Sequence, residues 1–395
     1  MSVYQKYQEK YIHLMNEYPA IQDLKNRAIS KIPKVASEYL ETGTDDETTL
    51  KNNIRDLSRI RFRPEFLKGT LDVELSTILF GHKYSAPFGI APVGLTGLMW
   101  PGIEKMLAQG AKDMDIPFCL STVATETPEE IAPLLSPASG WFQLYVPPDM
   151  PTTLDILQRA KNAGFKQLLI TADIPQASRR QRSRRSGLKM PPKLNAQLVW
   201  DGITHPHWLM ATLKNGLPRL RTTEGYKTFR MSVEAFQEKQ QGSNLSWEYA
   251  KQIKEAWDGP VLLKGIMSAD DALKAIDTGF DGIVVSNHGG RQFDAAPSSI
   301  SVLPDIAAAV NGQIPIVFDG GIRTGLDIIR AIALGADFAL VGRAFIYSVC
   351  ALQDLGPHHA YKILFEEMEN NMRQIGIENI DQIKVLDTII ETNSH

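Results

Sequence analysis

The sequence predicts an α/β fold, a TIM (β/α)8 barrel, on three observations. Eight short apolar runs recur along the chain, at Phe88–Ala91, Phe118–Ser121, Trp141–Tyr145, Leu168–Thr171, Val261–Lys264, Gly282–Ser286, Ile316–Asp319 and Phe338–Gly342. Most begin roughly 20 to 35 residues after the one before, the size of a βα unit. Amphipathic helical stretches fill the intervals. Barrel strands face helices on one side and the packed interior on the other. They therefore read as continuous apolar runs rather than as alternation.

The elements follow in chain order. Before the first run, Leu24–Glu41 has helical spacing, with Pro33 tolerated at a helix start or kink. Leu71–Leu79 alternates in part and predicts a short strand ahead of the barrel. The fourth and fifth runs lie about 90 residues apart, far more than a βα connection requires, which predicts an insertion over about 176–245. This insertion carries a Pro191-Pro192 break and an aromatic segment from Trp200 to Trp208. It also carries a basic cluster, Arg179, Arg180, Arg182, Arg184, Arg185, Lys189 and Lys193, with no acidic residue between Asp173 and Asp201. After the eighth run, Ala360–Gln374 predicts a helix covering the barrel. The expected organisation is a single domain over 1–395: an N-terminal extension (1–85), the barrel (86–350) with its insertion, and a C-terminal helix and tail (351–395).

Composition narrows the function classes. Hydrophobic residues make up 43% of the chain and charged residues 22%, which suits a globular protein with a sizeable core. The net charge of −3 argues against general nucleic-acid binding. No apolar run reaches the roughly 18 residues that span a bilayer. Met1 to Glu17 is polar and mixed in charge, unlike a secretory signal. Cys119 and Cys350 are the only cysteines, so neither a disulfide framework nor a metal site is expected, and the expected location is cytoplasmic.

In this fold the active site forms at the carboxyl ends of the strands. Those ends read Ala91-Pro92-Val93-Gly94, Ser121-Thr122, Gln143 with Tyr145, Thr171 with Asp173, Lys264, Ser286 with His288, Asp319-Gly320-Gly321-Ile322-Arg323, and Gly342-Arg343. A single polar residue after a strand is ordinarily a loop starter; eight such ends on one rim make a site. Ser286 to Gln292 is the most informative stretch. His288 can take a proton near neutral pH, and Arg291 offers a planar fork for a carboxylate. A base beside a carboxylate clamp suggests chemistry at the carbon next to an acid group. The glycines and arginines after the last two runs suit the phosphate site of this fold. Lys264 places a cation at the barrel mouth, unless it pairs with a core carboxylate.

Taken together, Ile90-Ala91-Pro92, Trp141 to Tyr145, Lys264-Gly265, Ser286 to Gln292 and Asp319 to Arg323 resemble the FMN-dependent L-2-hydroxy acid dehydrogenases and oxidases, over about 31–376. The resemblance implies FMN as cofactor and oxidation of a short L-2-hydroxy acid, L-lactate favoured, to the 2-keto acid. It implies His288 as the base, Asp173 as its orienting carboxylate, and Arg291 and Arg180 as the substrate clamp. Tyr39 and Tyr145 would bind the carboxylate and hydroxyl ends. Lys264 would lie beside the flavin ring, with Ala91, Pro92, Val93, Gly94, Ser121, Gln143, Thr171 and Ser286 around the ring and ribityl chain. Asp319, Gly320, Gly321, Arg323, Gly342 and Arg343 would form the ribityl and phosphate site. Val123 would line the substrate's side chain. The insertion, through Asp201 to Trp208 and Asn215 to Pro218, resembles that of the family's membrane-associated members. This implies peripheral membrane contact and electron transfer to quinone. A homotetramer is also implied. Two other readings are an oxidase that passes electrons to oxygen and forms hydrogen peroxide, and an FMN-dependent isomerase. The pairing of His288 and Arg291 with Arg180 argues against the isomerase.

Overall fold

The computed structural model describes residues 2–187, 196–226 and 245–391, apart from the side chains of 196–199. Pro191-Pro192, Lys189 and Lys193 lie outside the described residues. Eight parallel strands close into a barrel: β1 (Phe88–Ile90), β2 (Phe118–Ser121), β3 (Gly140–Leu144), β4 (Gln167–Thr171), β5 (Val261–Ile266), β6 (Gly282–Val285), β7 (Ile316–Asp319) and β8 (Phe338–Val341). They pair in chain order, and β8 returns to β1 through Leu340 opposite Gly89. Each expected run contains one of these strands, to within two residues at either end. Every residue of these strands except Gly265 is buried, so the apolar runs mark the elements.

Two cores flank the sheet. Inside the barrel, Trp141, Leu169, Leu262, Val284, Val317 and Phe338 pack together, and a hairpin of Thr77–Leu79 with His82–Tyr84 plugs the floor through Leu79, Tyr84 and Phe80. The strand expected in Leu71–Leu79 is thus confined to its last three residues. The larger core lies between the sheet and the surrounding helices. Helix Gly356–Ile375 packs on the outside of the barrel and exceeds the predicted Ala360–Gln374 at both ends.

The extension before the barrel forms α1 (Val3–Glu17), α2 (Ile21–Lys31), α3 (Lys34–Glu41) and α4 (Thr48–Ser58). The helical spacing read over Leu24–Glu41 is two helices. Pro33 lacks an N–H for the ladder and restricts Ile32, so α2 ends there and Pro33 becomes the N-cap of α3. This break turns α3 across the barrel mouth and delivers Tyr39. In the insertion, helices Gln181–Arg185, Ala196–Thr204 and Pro206–Asn215 are described. Trp208 seats the last of these: it is buried and its indole N–H donates to the Leu98 carbonyl at 3.1 Å.

Candidate active site

The strand ends open into one cleft of about 1030 Å³ of empty space, partly open to solvent. It is lined by Tyr39, Ala91 to Gly94, Val123, Gln143, Tyr145, Thr171, Arg180, Lys264, His288, Arg291, Asp319 to Arg323, Gly342 and Arg343. Three expected site residues stand behind this lining. Asp173 backs His288, Ser121 backs Gln143, and Ser286 backs Lys264. Leu40, Ile174, Gly289 and Leu340 also line the cleft. Ile174 follows Asp173 at the end of β4, so its place was readable from the strand; Leu40 carries no local signal.

The base candidate sits in a chain of polar contacts. Nδ1 of His288 lies 2.9 Å from Oδ1 of Asp173, and Nε2 lies 3.2 Å from the Tyr145 hydroxyl. A carboxylate only accepts, so Nδ1 carries the proton and Nε2 keeps its lone pair toward the cleft. Burial pushes the His288 pKa below its ordinary value, against the opposing pull of Asp173, so the ring is neutral at pH about 7. Burial pushes the Asp173 carboxyl up, but His288 and Lys264 outweigh it and the net shift is downward. The pair is therefore a carboxylate and a neutral imidazole.

Two arginines face the same space. Arg291 is buried, lies 5.4 Å over the Tyr39 ring, and donates to the carbonyls of Tyr39 (3.1 Å) and Leu40 (2.6 Å) at the C-terminus of α3. Those carbonyls hold the guanidinium in place, as a helix C-terminus favours a cation. Arg180 is tied to Ser178 at 3.1 Å. The Tyr39 hydroxyl donates to the Gly94 carbonyl at 3.2 Å. A Cβ built on Gly94 would lie 2.6 Å from Cγ2 of Val123, so these two residues close one wall together.

Lys264 lies deep in the cleft, where a bulge between Lys264 and Ile266 interrupts the β5–β6 register. Its ammonium pairs with Asp319 at 3.0 Å and donates to Ser286 at 2.8 Å. Burial pushes its pKa down, yet Asp319 and Asp173 more than offset this and the lysine stays charged. Pairing with a core carboxylate and a place at the barrel mouth are both true of it. Beside it, Ser121, Gln143 and Thr171 form a buried polar row, linked at 2.7 and 2.8 Å.

At the far end, Gly320 and Gly321 have φ of 118° and 88°, and Arg323 and Arg343 close the loop. Arg343 donates to the carbonyls of Leu40, Thr42 and Gly289. Burial, with Arg291 and Arg323 nearby, pulls its pKa down from the ordinary arginine range to about 9. Crowded, partly buried guanidinium groups are relieved by an anion. An organic phosphate with a planar ring fits the arrangement, its phosphate by the crowded cations and its ring by the polar row and Lys264. Among the described residues no cluster of metal-binding side chains occurs.

Comparison with known proteins gives the family. The chain is 40% identical over 367 residues to an L-lactate dehydrogenase of Pseudomonas entomophila, covering 91% of this chain and 95% of that protein. It is 38% identical over 364 residues to an L-lactate dehydrogenase of Vibrio parahaemolyticus, covering 91% and 95%. Among solved structures it is similar to the monotopic membrane protein (S)-mandelate dehydrogenase, with TM-score 0.86, 31% identity, and 94% and 99% of the two chains covered. A mandelate oxidase gives TM-score 0.81 at 31% identity, covering 95% and 100%. The family model described as FMN-dependent dehydrogenase matches residues 28–388. The chain therefore belongs to the FMN-dependent dehydrogenase family, and its cofactor is FMN.

Proposed function

We propose that this chain oxidises a short L-2-hydroxy acid to the 2-keto acid, with L-lactate as the favoured substrate. The observation that carries the reading is the Asp173–His288–Tyr145 chain, at 2.9 and 3.2 Å, beside Arg180 and Arg291. It unites a neutral base with two cations for a carboxylate. The L-lactate dehydrogenases at about 40% identity support the choice of substrate.

Each side chain has a task in this reading. Arg291 and Arg180 bind the substrate carboxylate, and the Tyr39 and Tyr145 hydroxyls orient its carboxylate and hydroxyl ends, which supplies the proximity term. His288 Nε2 accepts one substrate proton. Asp173 fixes the imidazole tautomer and stabilises the charged ring that results. Bound FMN supplies the two-electron sink that no side chain of this protein offers. Lys264, Ser121, Gln143, Thr171, Ser286 and Ala91 to Gly94 would hold its ring and ribityl chain, and Asp319 to Arg323, Gly342 and Arg343 its phosphate end. Val123 and Ile174 border the space left for the substrate's side chain. Incubation with L-lactate and an artificial electron acceptor tests the reading: pyruvate should form in proportion to acceptor reduced, and an enzyme that forms no 2-keto acid would refute it.

The electron acceptor we infer is a membrane quinone, reached by peripheral docking from the cytoplasmic side. Trp200, Ile203, Met210, Leu213 and Leu217 of the insertion are exposed, with Met210 and Leu213 three residues apart on the helix Pro206–Asn215 and Leu217 just beyond its end. Arg179, Arg184 and Arg185 of the same insertion are exposed as well, and exposed apolar side chains together with arginines have the chemistry of a membrane-surface contact. Among the described residues no helix is long and apolar enough to cross a membrane. The monotopic mandelate dehydrogenase supports this reading. The likeness to a mandelate oxidase favours a second one, in which oxygen accepts the electrons and hydrogen peroxide forms. Stopped-flow reoxidation by a soluble quinone and by oxygen separates the two. The assembly we infer is a homotetramer of single-domain chains.

A further inference from the structure

Helix α4 belongs to the N-terminal extension, yet its first turn and its middle are bonded to the loop that carries His288. Asp294 of that loop caps α4, accepting from the backbone N–H of Asp46 at 3.1 Å and of Thr49 at 2.9 Å. The N–H of Thr44 donates to the Gly290 carbonyl at 3.0 Å. In the middle of α4, Asn53 and Asn287 form a closed pair. Nδ2 of Asn53 donates to Oδ1 of Asn287 at 2.8 Å, and Nδ2 of Asn287 donates to Oδ1 of Asn53 at 2.7 Å. The two residues are 1% and 6% exposed.

Their remaining capacity is used locally. Asn53 Oδ1 also accepts from the N–H of Ser299, and Asn287 Oδ1 from the N–H of Gly290, each at 3.2 Å. Asn287 Nδ2 also donates to the Pro297 carbonyl at 3.0 Å. A buried amide bonded on both ends has one orientation and resists displacement.

Asn287 directly precedes three consecutive left-handed residues, His288, Gly289 and Gly290, at φ of 59°, 62° and 74°. A histidine in this region is uncommon and persists where its surroundings over-determine it. Helix α4 supplies those surroundings: a Cβ on Gly290 would lie 2.5 Å from the Leu50 nitrogen. The same helix meets the glycine loop after β7, where a Cβ on Gly321 would lie 2.5 Å from the Asn53 carbonyl oxygen.

We propose that Asn53 is a positioning residue for the reaction: through its reciprocal amide pair with Asn287 it holds the His288 backbone so that the imidazole meets both Asp173 and the substrate. The proposal rests on the reading of His288 as base. A base of this kind tolerates little displacement, since misplacement by about 1 Å costs on the order of 100-fold in rate.

The test compares Asn53→Ala, Asn53→Asp, Leu24→Ala and His288→Ala as FMN-loaded enzymes. Asn53→Asp keeps the volume and the acceptor that Asn287 and Ser299 use, but puts an oxygen, charged when ionised, where the amide donated to Asn287; its rate and loop exchange, rather than its acid limb, decide the matter if Asn53→Ala does not fold. Leu24 is fully buried in α2 and reports a loosened extension alone. Flavin reduction by saturating L-lactate is followed without oxygen, with KM, its pH profile and hydrogen exchange of the 286–292 loop. Both Asn53 variants should slow reduction about 10-fold or more with KM changed less than about three-fold and speed exchange in the loop, and Asn53→Ala should also displace the acid limb. Leu24→Ala should lower Tm and leave rate, limb and loop exchange unchanged. If His288→Ala is inactive while both Asn53 variants keep wild-type rate and loop exchange, the positioning role is wrong. Equal slowing by Leu24→Ala would also overturn it. An active His288→Ala would instead refute the base assignment beneath it.

Discussion

Asp173, just beyond β4, reaches past β5 to bond His288, just beyond β6, at 2.9 Å, while its second oxygen, Oδ2, is buried with no partner among the described residues. The carboxylate is thus committed to the imidazole. Its charge raises the His288 pKa against the larger depression from burial. Removing it in Asp173→Ala should lower kcat on the order of 10²-fold to 10⁴-fold, the range of general-base contributions. The sign of the pH effect follows. The wild-type acid limb should lie below the ordinary histidine range, because the base works only when neutral and its pKa is depressed by burial. Without Asp173 the pKa falls further, so the limb should move to lower pH in a kcat/KM profile. A limb moving upward would contradict this electrostatic account.

His288 and Arg291 should separate by kinetic parameter. His288→Ala should keep FMN and lose nearly all turnover. Arg291→Met should mainly raise KM, by about 10-fold to 100-fold, equivalent to one or two charge-assisted hydrogen bonds. Arg291 also holds the carbonyls of Tyr39 and Leu40. Its loss should therefore also speed hydrogen exchange at the C-terminal end of α3.

The pairing of Lys264 with Asp319 at 3.0 Å makes a double-mutant prediction for the FMN-free protein. Lys264→Met leaves a buried carboxylate unpaired and should cost about 3–5 kcal/mol in urea unfolding. Adding Asp319→Asn removes that charge and should recover a large part of the loss. Additive losses would mean that the two groups do not interact in solution.

The exposed apolar residues of the insertion predict a location. Replacing Met210 and Leu213 by Glu should move the enzyme from the membrane fraction to the soluble fraction, with L-lactate oxidation by a soluble acceptor retained. Wild-type recovery with membranes should fall in high salt, as contacts between arginines and anionic lipid are screened. Wild-type protein found only in the soluble fraction would refute membrane docking.

The barrel and most of the cleft were legible because both follow local rules. Strands buried on two faces leave apolar runs, and the residues following them face the site. Asp173, Lys264, His288 and Arg291 were placed by that logic alone. What escaped depends on contacts between distant parts of the chain. Asn53 and Asn287 are 234 residues apart; Asn287 lies in the informative stretch Ser286 to Gln292, but nothing local marks Asn53, in the extension, as its partner. Arg343 was readable as a cation at a strand end, but not as a donor to the carbonyls of Leu40 and Thr42. The break at Pro33 was visible in the sequence as a residue, though not as the hinge that turns Tyr39 over the cleft.

The central claim is that a 2-hydroxy acid bound between Arg180, Arg291 and His288 gives its electrons to FMN. Mixing the oxidised holoenzyme with L-lactate in the absence of oxygen tests it most directly, by the flavin absorbance. Complete bleaching with L-lactate, lost in His288→Ala, is the expected result. Flavin that stays oxidised with L-lactate, glycolate, mandelate and longer 2-hydroxy acids alike would contradict the account.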